Sequence, residues 1–144
     1  MKKKGILYMK SVMTPFPYTV DLDASIDEAG AMMEEHGIHH LPVADGGVPV
    51  GVISDRDLKW TKGSGLFHKG PPRVREVCRM DACRVELTDP VDKVLDKMIE
   101  NHLGEVLVEK NGKLVGIMTM VDVCRGFADL LRDRYPSDPD PTVA

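Results

Sequence analysis

Apolar positions along this chain follow one pattern written twice. Residues 11–59 lie over residues 76–124 at a constant offset of 65 without a gap. Val12, Val20, Leu22, Asp27, Met33, Glu35, Val43, Gly47, Val50, Gly51 and Asp57 meet identical residues at Val77, Val85, Leu87, Asp92, Met98, Glu100, Val108, Gly112, Val115, Gly116 and Asp122. Between these, apolar meets apolar: Ile26 with Val91, Ala29 with Val94, Ile38 with Leu103 and Val52 with Ile117. A register held over such a span marks an internal repeat, which sets the frame for every local reading.

Each copy predicts strand, helix, strand, turn, strand, helix. Ser25-Ile-Asp-Glu28 has the spacing of a capping box, Ile26, Ala29 and Met33 form the apolar stripe of the helix it opens, and Gly37 can end it. In the second copy Asp89-Pro90 opens a helix with Val91, Val94, Leu95, Met98 and Ile99 on its buried side. Two hairpins follow, turning at Asp45-Gly46-Gly47 and at Asn111-Gly112, where glycine and asparagine accept the positive φ of a tight turn. The last helix of each copy starts at the strand-to-helix junctions GVISDRDL (51–58) and GIMTMVDV (116–123), the second running on to Tyr135 before Pro136. Two units with one apolar sheet face each can bury those faces together. The expected fold class is therefore α+β: two β-α-β-β-α repeats packed through their sheets into one module with a pseudo-twofold axis. The expected boundaries are an N-terminal tail over 1–9, a first repeat over 10–60, an exposed Gly-, Pro- and Lys-rich linker over 61–75, a second repeat over 76–135 and a disordered Pro/Asp-rich tail over 136–144.

Composition changes this picture little. At 144 residues, 42% hydrophobic and 29% charged, the chain can bury a core without metal or disulfides. The net charge of −4 offers no basic field for nucleic acid; the lysines at 2–4 and the cluster Lys59, Lys62, His68, Lys69, Arg73 and Arg75 read as solvated. There is no apolar run of membrane-spanning length and no apolar core of a signal peptide, so no membrane partner is expected and the expected location is cytoplasmic. Cys78, Cys83 and Cys124, odd in number and without zinc-ligand spacing, fit a reducing compartment and read as packing residues. So do Met32-Met33 and Met118–Met120.

Candidate chemistry lies at the two junctions. Ser54 precedes Asp57, and Thr119 precedes Asp122, by three residues. That spacing is a capping box in itself. The same geometry can grip a ligand: a helix N-terminus attracts an anion, a hydroxyl donates to phosphate, and a carboxylate accepts both hydroxyls of a ribose. Gly51 and Gly116, just upstream, would let a flat ring approach the backbone. The spacing leaves both readings open. His36, His39 and His40 form a rival metal-site candidate without a known ligand spacing. No nucleophile with a partnered base, Walker-type loop or zinc-hydrolase motif is present, so no catalytic activity is expected.

MTP (13–15), TV (19–20), IHHLPV (38–43), GVISDRDL and their second-copy counterparts resemble a tandem pair of cystathionine-β-synthase (CBS) domains, a Bateman module, over about residues 10–130. The resemblance implies two clefts between the repeats that bind AMP, ADP, ATP, S-adenosylmethionine or NAD as regulatory ligands. It implies ribose contacts for Asp57 and Asp122, sugar or phosphate contacts for Ser54 and Thr119, and adenine pockets lined near Val20, Val85, Leu41 and Val106. His39 and His40 stand where some nucleotide-sensing members carry phosphate-binding basic residues. The resemblance also implies a homodimer of modules stacked through their helices, with an unidentified protein target or none. A structural dimerisation or partner-interaction module without a ligand is the alternative, and behind it a nucleotide-cleaving enzyme. In the second copy Gly104-Glu105 replaces His39-His40, so the two clefts are expected to differ.

Overall fold

The computed structural model describes residues 7–65 and 70–136. The expectations for residues 1–6, 66–69 and 137–144 lie outside the described residues. The first repeat consists of β2 (Val20–Asp21), α1 (Ile26–His36), β3 (His40–Asp45), β4 (Val48–Ser54) and α2 (Asp55–Ser64), preceded by the two-residue strand β1 (Thr14–Pro15). After the one-turn helix α3 (Val74–Val77), the second repeat follows the same order: β5 (Arg84–Glu86), α4 (Val91–Glu100), β6 (Glu105–Lys110), β7 (Lys113–Thr119) and α5 (Met120–Arg134).

Local chemistry places these elements as the pattern predicts. The Ser25 hydroxyl accepts from the Glu28 amide at 3.1 Å, while the Glu28 carboxylate accepts from the Ser25 amide at 3.0 Å. Gly37 ends α1 in the left-handed region, at φ +62°. Gly46-Gly47 and Asn111-Gly112 all take positive φ, the signature of a type I′ hairpin turn. Each repeat pairs its first strand parallel and its hairpin antiparallel, with Val20 opposite Val43 and Val85 opposite Val108. Two cores result. One holds Val20, Leu22, Ile26, Ala29, Met33, Leu41, Val43 and Ile53; the other holds Val85, Val91, Val94, Met98, Val106, Val108 and Met118.

The segment ahead of each repeat packs on the other repeat. Met9 is fully buried in the second core, and Val74, at the same offset of 65, is fully buried in the first. The Val91 amide donates to the Leu7 carbonyl at 2.8 Å, and the Ile26 amide donates to the Pro72 carbonyl at 3.1 Å. β1 pairs antiparallel with β7, Thr14 opposite Ile117, and Arg79 exchanges two backbone hydrogen bonds with Val52 in β4, at 2.9 and 3.0 Å. Each lobe is thus completed by chain from the other side of the axis. This ties the repeats into one module and places residues 14–18 and 79–83 at the junction between them.

Several expectations change against this frame. α2 runs to Ser64, four residues past the boundary drawn at 60, with Thr61 buried and its hydroxyl donating to the Asp57 carbonyl at 2.8 Å. Ile99 is 72% exposed and Met120 50%, so neither is core; Cys124 is exposed as well. Gly51 and Gly116 do not open the backbone to a ligand. A Cβ at Gly51 would strike the Arg79 carbonyl and one at Gly116 the Met13 side chain, so both glycines serve the crossing segments instead. Among the described residues no helix is long and apolar enough to cross a membrane.

Candidate functional site

A cavity of about 570 Å³ opens at the junction of the two repeats. That is the size of a small-molecule site. Its floor is the N-terminal turn of α5, with Thr119, Val121, Asp122 and Arg125; one wall is Ile38, His39 and His40 from the first repeat; the other is the strap Thr14-Pro15-Phe16-Pro17-Tyr18.

Asp122 is the organising group. It is 5% exposed, and four donors hold it: the Thr119 amide at 2.8 Å and hydroxyl at 3.1 Å on Oδ2, and the Thr14 hydroxyl at 2.8 Å and Arg125 guanidinium at 3.3 Å on Oδ1. Such donors offset the cost of taking a carboxylate out of water. Oδ2 is taken by the amide and hydroxyl of Thr119 at the junction itself, whereas the two partners of Oδ1 are side chains from other positions that a ligand hydroxyl can replace. Arg125, His39 and His40 bring basic side chains to the rest of the cleft, and the positive end of the α5 dipole faces the same side.

The strap carries two aromatic rings. Tyr18 stacks on His36 with ring centroids 3.6 Å apart and planes 9° from parallel. Phe16 sits at φ +47° with its side chain 82% exposed at the cleft mouth, its amide donating to the Val115 carbonyl at 3.0 Å. A non-glycine residue held in that region is strained.

The three histidines of the rival metal site take separate partners. His36 lies under Tyr18, His39 Nδ1 pairs with Asp55 Oδ2 at 3.0 Å, and His40 Nε2 stands 3.5 Å from Glu105 Oε2. Among the described residues no group of three or more His, Cys, Asp or Glu side chains is placed to hold a metal ion. Burial pulls the Asp55 carboxyl upward, but the hydrogen bond from His39 and the charges of Lys59 and His39 outweigh it and hold its pKa below the ordinary value. Burial raises the Cys78 thiol, which suits a packing residue.

Across the pseudo-twofold axis the counterpart cleft is built differently. Ser54 and Asp57 form a reciprocal capping box, with the Asp57 amide donating to the Ser54 hydroxyl at 3.2 Å and the Ser54 amide to Asp57 Oδ2 at 2.9 Å. Where the first cleft has Thr14, this one has Arg79; where the first has His40, it has Glu105; Trp60 takes the place of Arg125. Arg79 donates to Glu105 Oε1 at 2.7 Å, and its Nε lies 4.0 Å from Asp57 Oδ2. Glu105 is 7% exposed, so one guanidinium links the cap carboxylate to a buried carboxylate on the opposite wall.

The predicted site residues therefore divide. The structure brings Thr119, Asp122, His39 and His40 together in one cleft, and Ser54 and Asp57 together at the other. Val20 and Leu41 lie in the first core and Val85 and Val106 in the second, and none of the four lines the 570 Å³ cavity. Val20 and Val85 are the buried members of their short strands, while Leu41 and Val106 sit in runs of consecutive buried residues, so all four pack in lobe interior. Thr14, Phe16, Tyr18, Arg125 and Arg79 were not singled out by sequence reasoning. The signal for the strap lay in MTP, and that for Arg79 lay in the offset of 65 that carries Thr14 onto it.

A family model for the CBS domain matches residues 9–60 and 74–129. An L-aspartate semialdehyde sulfurtransferase from Methanocaldococcus jannaschii is 28% identical over 127 residues, 87% of this chain but 24% of that protein. The chain thus spans about a quarter of that relative. Among solved structures, the CBS domain pair of protein MJ0100 in complex with 5′-methylthioadenosine and S-adenosyl-L-methionine superposes with TM-score 0.76 at 28% identity, over 88% of this chain and 99% of that one. CBSX2 in complex with AMP gives TM-score 0.72 at 26% identity, over 87% and 98%.

Proposed function

The chain belongs to the CBS-domain family, and from that premise we propose that it is a regulatory module rather than an enzyme, binding an adenosine-containing ligand in the cleft closed by Asp122. The carrying observation is the 570 Å³ cavity in which a four-donor carboxylate, a helix N-terminus and two histidines converge from different repeats. Asp122 Oδ1 would take the ribose hydroxyls from Thr14 and Arg125. The start of α5, with Arg125, His39 and His40, would face phosphate, and Phe16 offers a ring face to the base. Bound S-adenosyl-L-methionine, 5′-methylthioadenosine and AMP in the similar CBS pairs support this ligand class. AMP, ADP, ATP, S-adenosylmethionine and NAD are the candidates.

Occupancy would be read out through the surface. Met120, Cys124, Phe127 and Leu131 recur at helical spacing along α5, all exposed, with Phe127 60% and Leu131 40% accessible. Such a stripe favours a homodimer of stacked modules and also supports the alternative of a dimerisation module without a ligand. A melting-curve panel separates the two. A ligand at about 100 times its dissociation constant stabilises the fold by roughly 2.7 kcal/mol, several degrees in Tm. If no member of the panel moves the curve, the ligand reading fails and the structural one stands.

A further inference from the structure

We propose that Arg79 is a built-in occupant of the second cleft, so that the chain takes one adenosyl ligand, at Asp122, and holds the Asp57 cleft shut with its own side chain. This rests on the ligand-binding reading above and adds which cleft is used and which residue decides it.

In the open cleft Asp122 and His40 both line the cavity, and Thr14 contributes a small hydroxyl to the carboxylate. The offset of 65 carries these three to Asp57, Glu105 and Arg79. There the guanidinium runs from within 4.0 Å of Asp57 Oδ2 to a 2.7 Å bond with Glu105 Oε1, crossing the gap a ligand would fill. Its backbone is pinned to β4 by two hydrogen bonds with Val52, so the base of the side chain cannot withdraw. A ligand entering here must strip the guanidinium from a carboxylate that is 7% exposed, and any phosphate it brings then meets that carboxylate. At one matched position a base gives way to an acid: His40 lines the first cleft, and Glu105 takes its place in the second. The closure is specific to this pair of residues, because the capping geometry of Ser54 and Asp57 is otherwise ready for use.

The test is isothermal titration of the full chain with AMP, ADP, ATP, S-adenosylmethionine and NAD in turn. The wild type is expected to take up one equivalent of each ligand that binds. Asp122→Ala should weaken that binding at least about tenfold, from the loss of hydrogen bonds to a charged acceptor, and Asp57→Ala should leave it unchanged. Arg79→Thr/Glu105→His, which puts the first cleft's residues at the two positions that close the second, should raise the stoichiometry to two. Uptake of two equivalents by the wild type, or equal losses from Asp57→Ala and Asp122→Ala, would overturn the inference even if the double variant does not fold. A folded double variant that stays at one equivalent would do the same. If the wild type binds none of the five, the binding reading itself fails, a result distinguishable from all of these.

Discussion

The two junction clefts share a backbone plan and differ in most of their side chains, three of which stand out beside the matched aspartates. Thr14, His40 and Arg125 surround Asp122, whereas Arg79, Glu105 and Trp60 occupy the same positions around Asp57. Both carboxylates accept the amide of the residue that precedes the helix, Thr119 at 2.8 Å and Ser54 at 2.9 Å, so this bond is common to both and cannot be what distinguishes them. The hydroxyls show the division more finely. Ser54 accepts from the helix amide at Asp57, while the Thr119 hydroxyl donates to Asp122 itself. A duplicated fold device has been kept twice, and its surroundings have been opened on one side and tied shut on the other.

Substitutions that strike matched positions in the two halves test this contrast, and the largest effect is expected at the glycines. Gly51→Ala sets a methyl against the Arg79 backbone, which is fixed by its pairing with Val52, whereas Gly116→Ala sets one against the flexible end of Met13. Urea unfolding should show a loss of about 3 kcal/mol for Gly51→Ala and below about 1 kcal/mol for Gly116→Ala. Equal losses would mean that the second cleft is no more rigidly closed than the first. Next in size is Arg79→Ala, which leaves buried Glu105 with His40, 3.5 Å away, as its remaining basic neighbour and should cost about 2 kcal/mol. Thr14→Val, its counterpart, removes one of four donors to Asp122 and should cost about 1 kcal/mol. Asp57→Ala removes a cap, again about 1 kcal/mol, and should leave the ligand-induced Tm shift intact.

The smallest expected difference is a pH effect confined to the first repeat. Asp55 has a folded pKa below its ordinary value, so its contribution is present above the ordinary carboxylate range and is lost as pH falls through the lowered folded value. Its counterpart is Met120, which cannot titrate. Asp55→Asn should flatten the acid limb of the stability curve by about 0.5 kcal/mol or less, since Asp55 is partly exposed. An unchanged limb would remove this asymmetry.

The doubled plan was legible in the sequence because its signals are local: capping boxes, positive-φ turns and apolar periods repeat at one offset. The exchange of leading segments was not. It rests on a two-residue strand and on Met9 and Val74, whose burial no pattern of three or four residues announces. The cap carboxylates were found because their spacing is a motif. Arg79 and Phe16 act through contacts across the axis, at sequence separations for which the repeat supplies an equivalent position but no matching residue. The four strand residues assigned to adenine pockets failed to reach the open cleft for a related reason. An apolar strand position says that a side chain is buried but not against what, and here it is buried in lobe interior.

The most direct test is a crystal structure of the chain grown with whichever panel member raises its Tm most. Density for one adenosyl ligand against Asp122, with Arg79 still bonded to Glu105 across the axis, is the predicted result. Density for that ligand against Asp57, with Arg79 displaced and the Asp122 cleft vacant, would contradict the account.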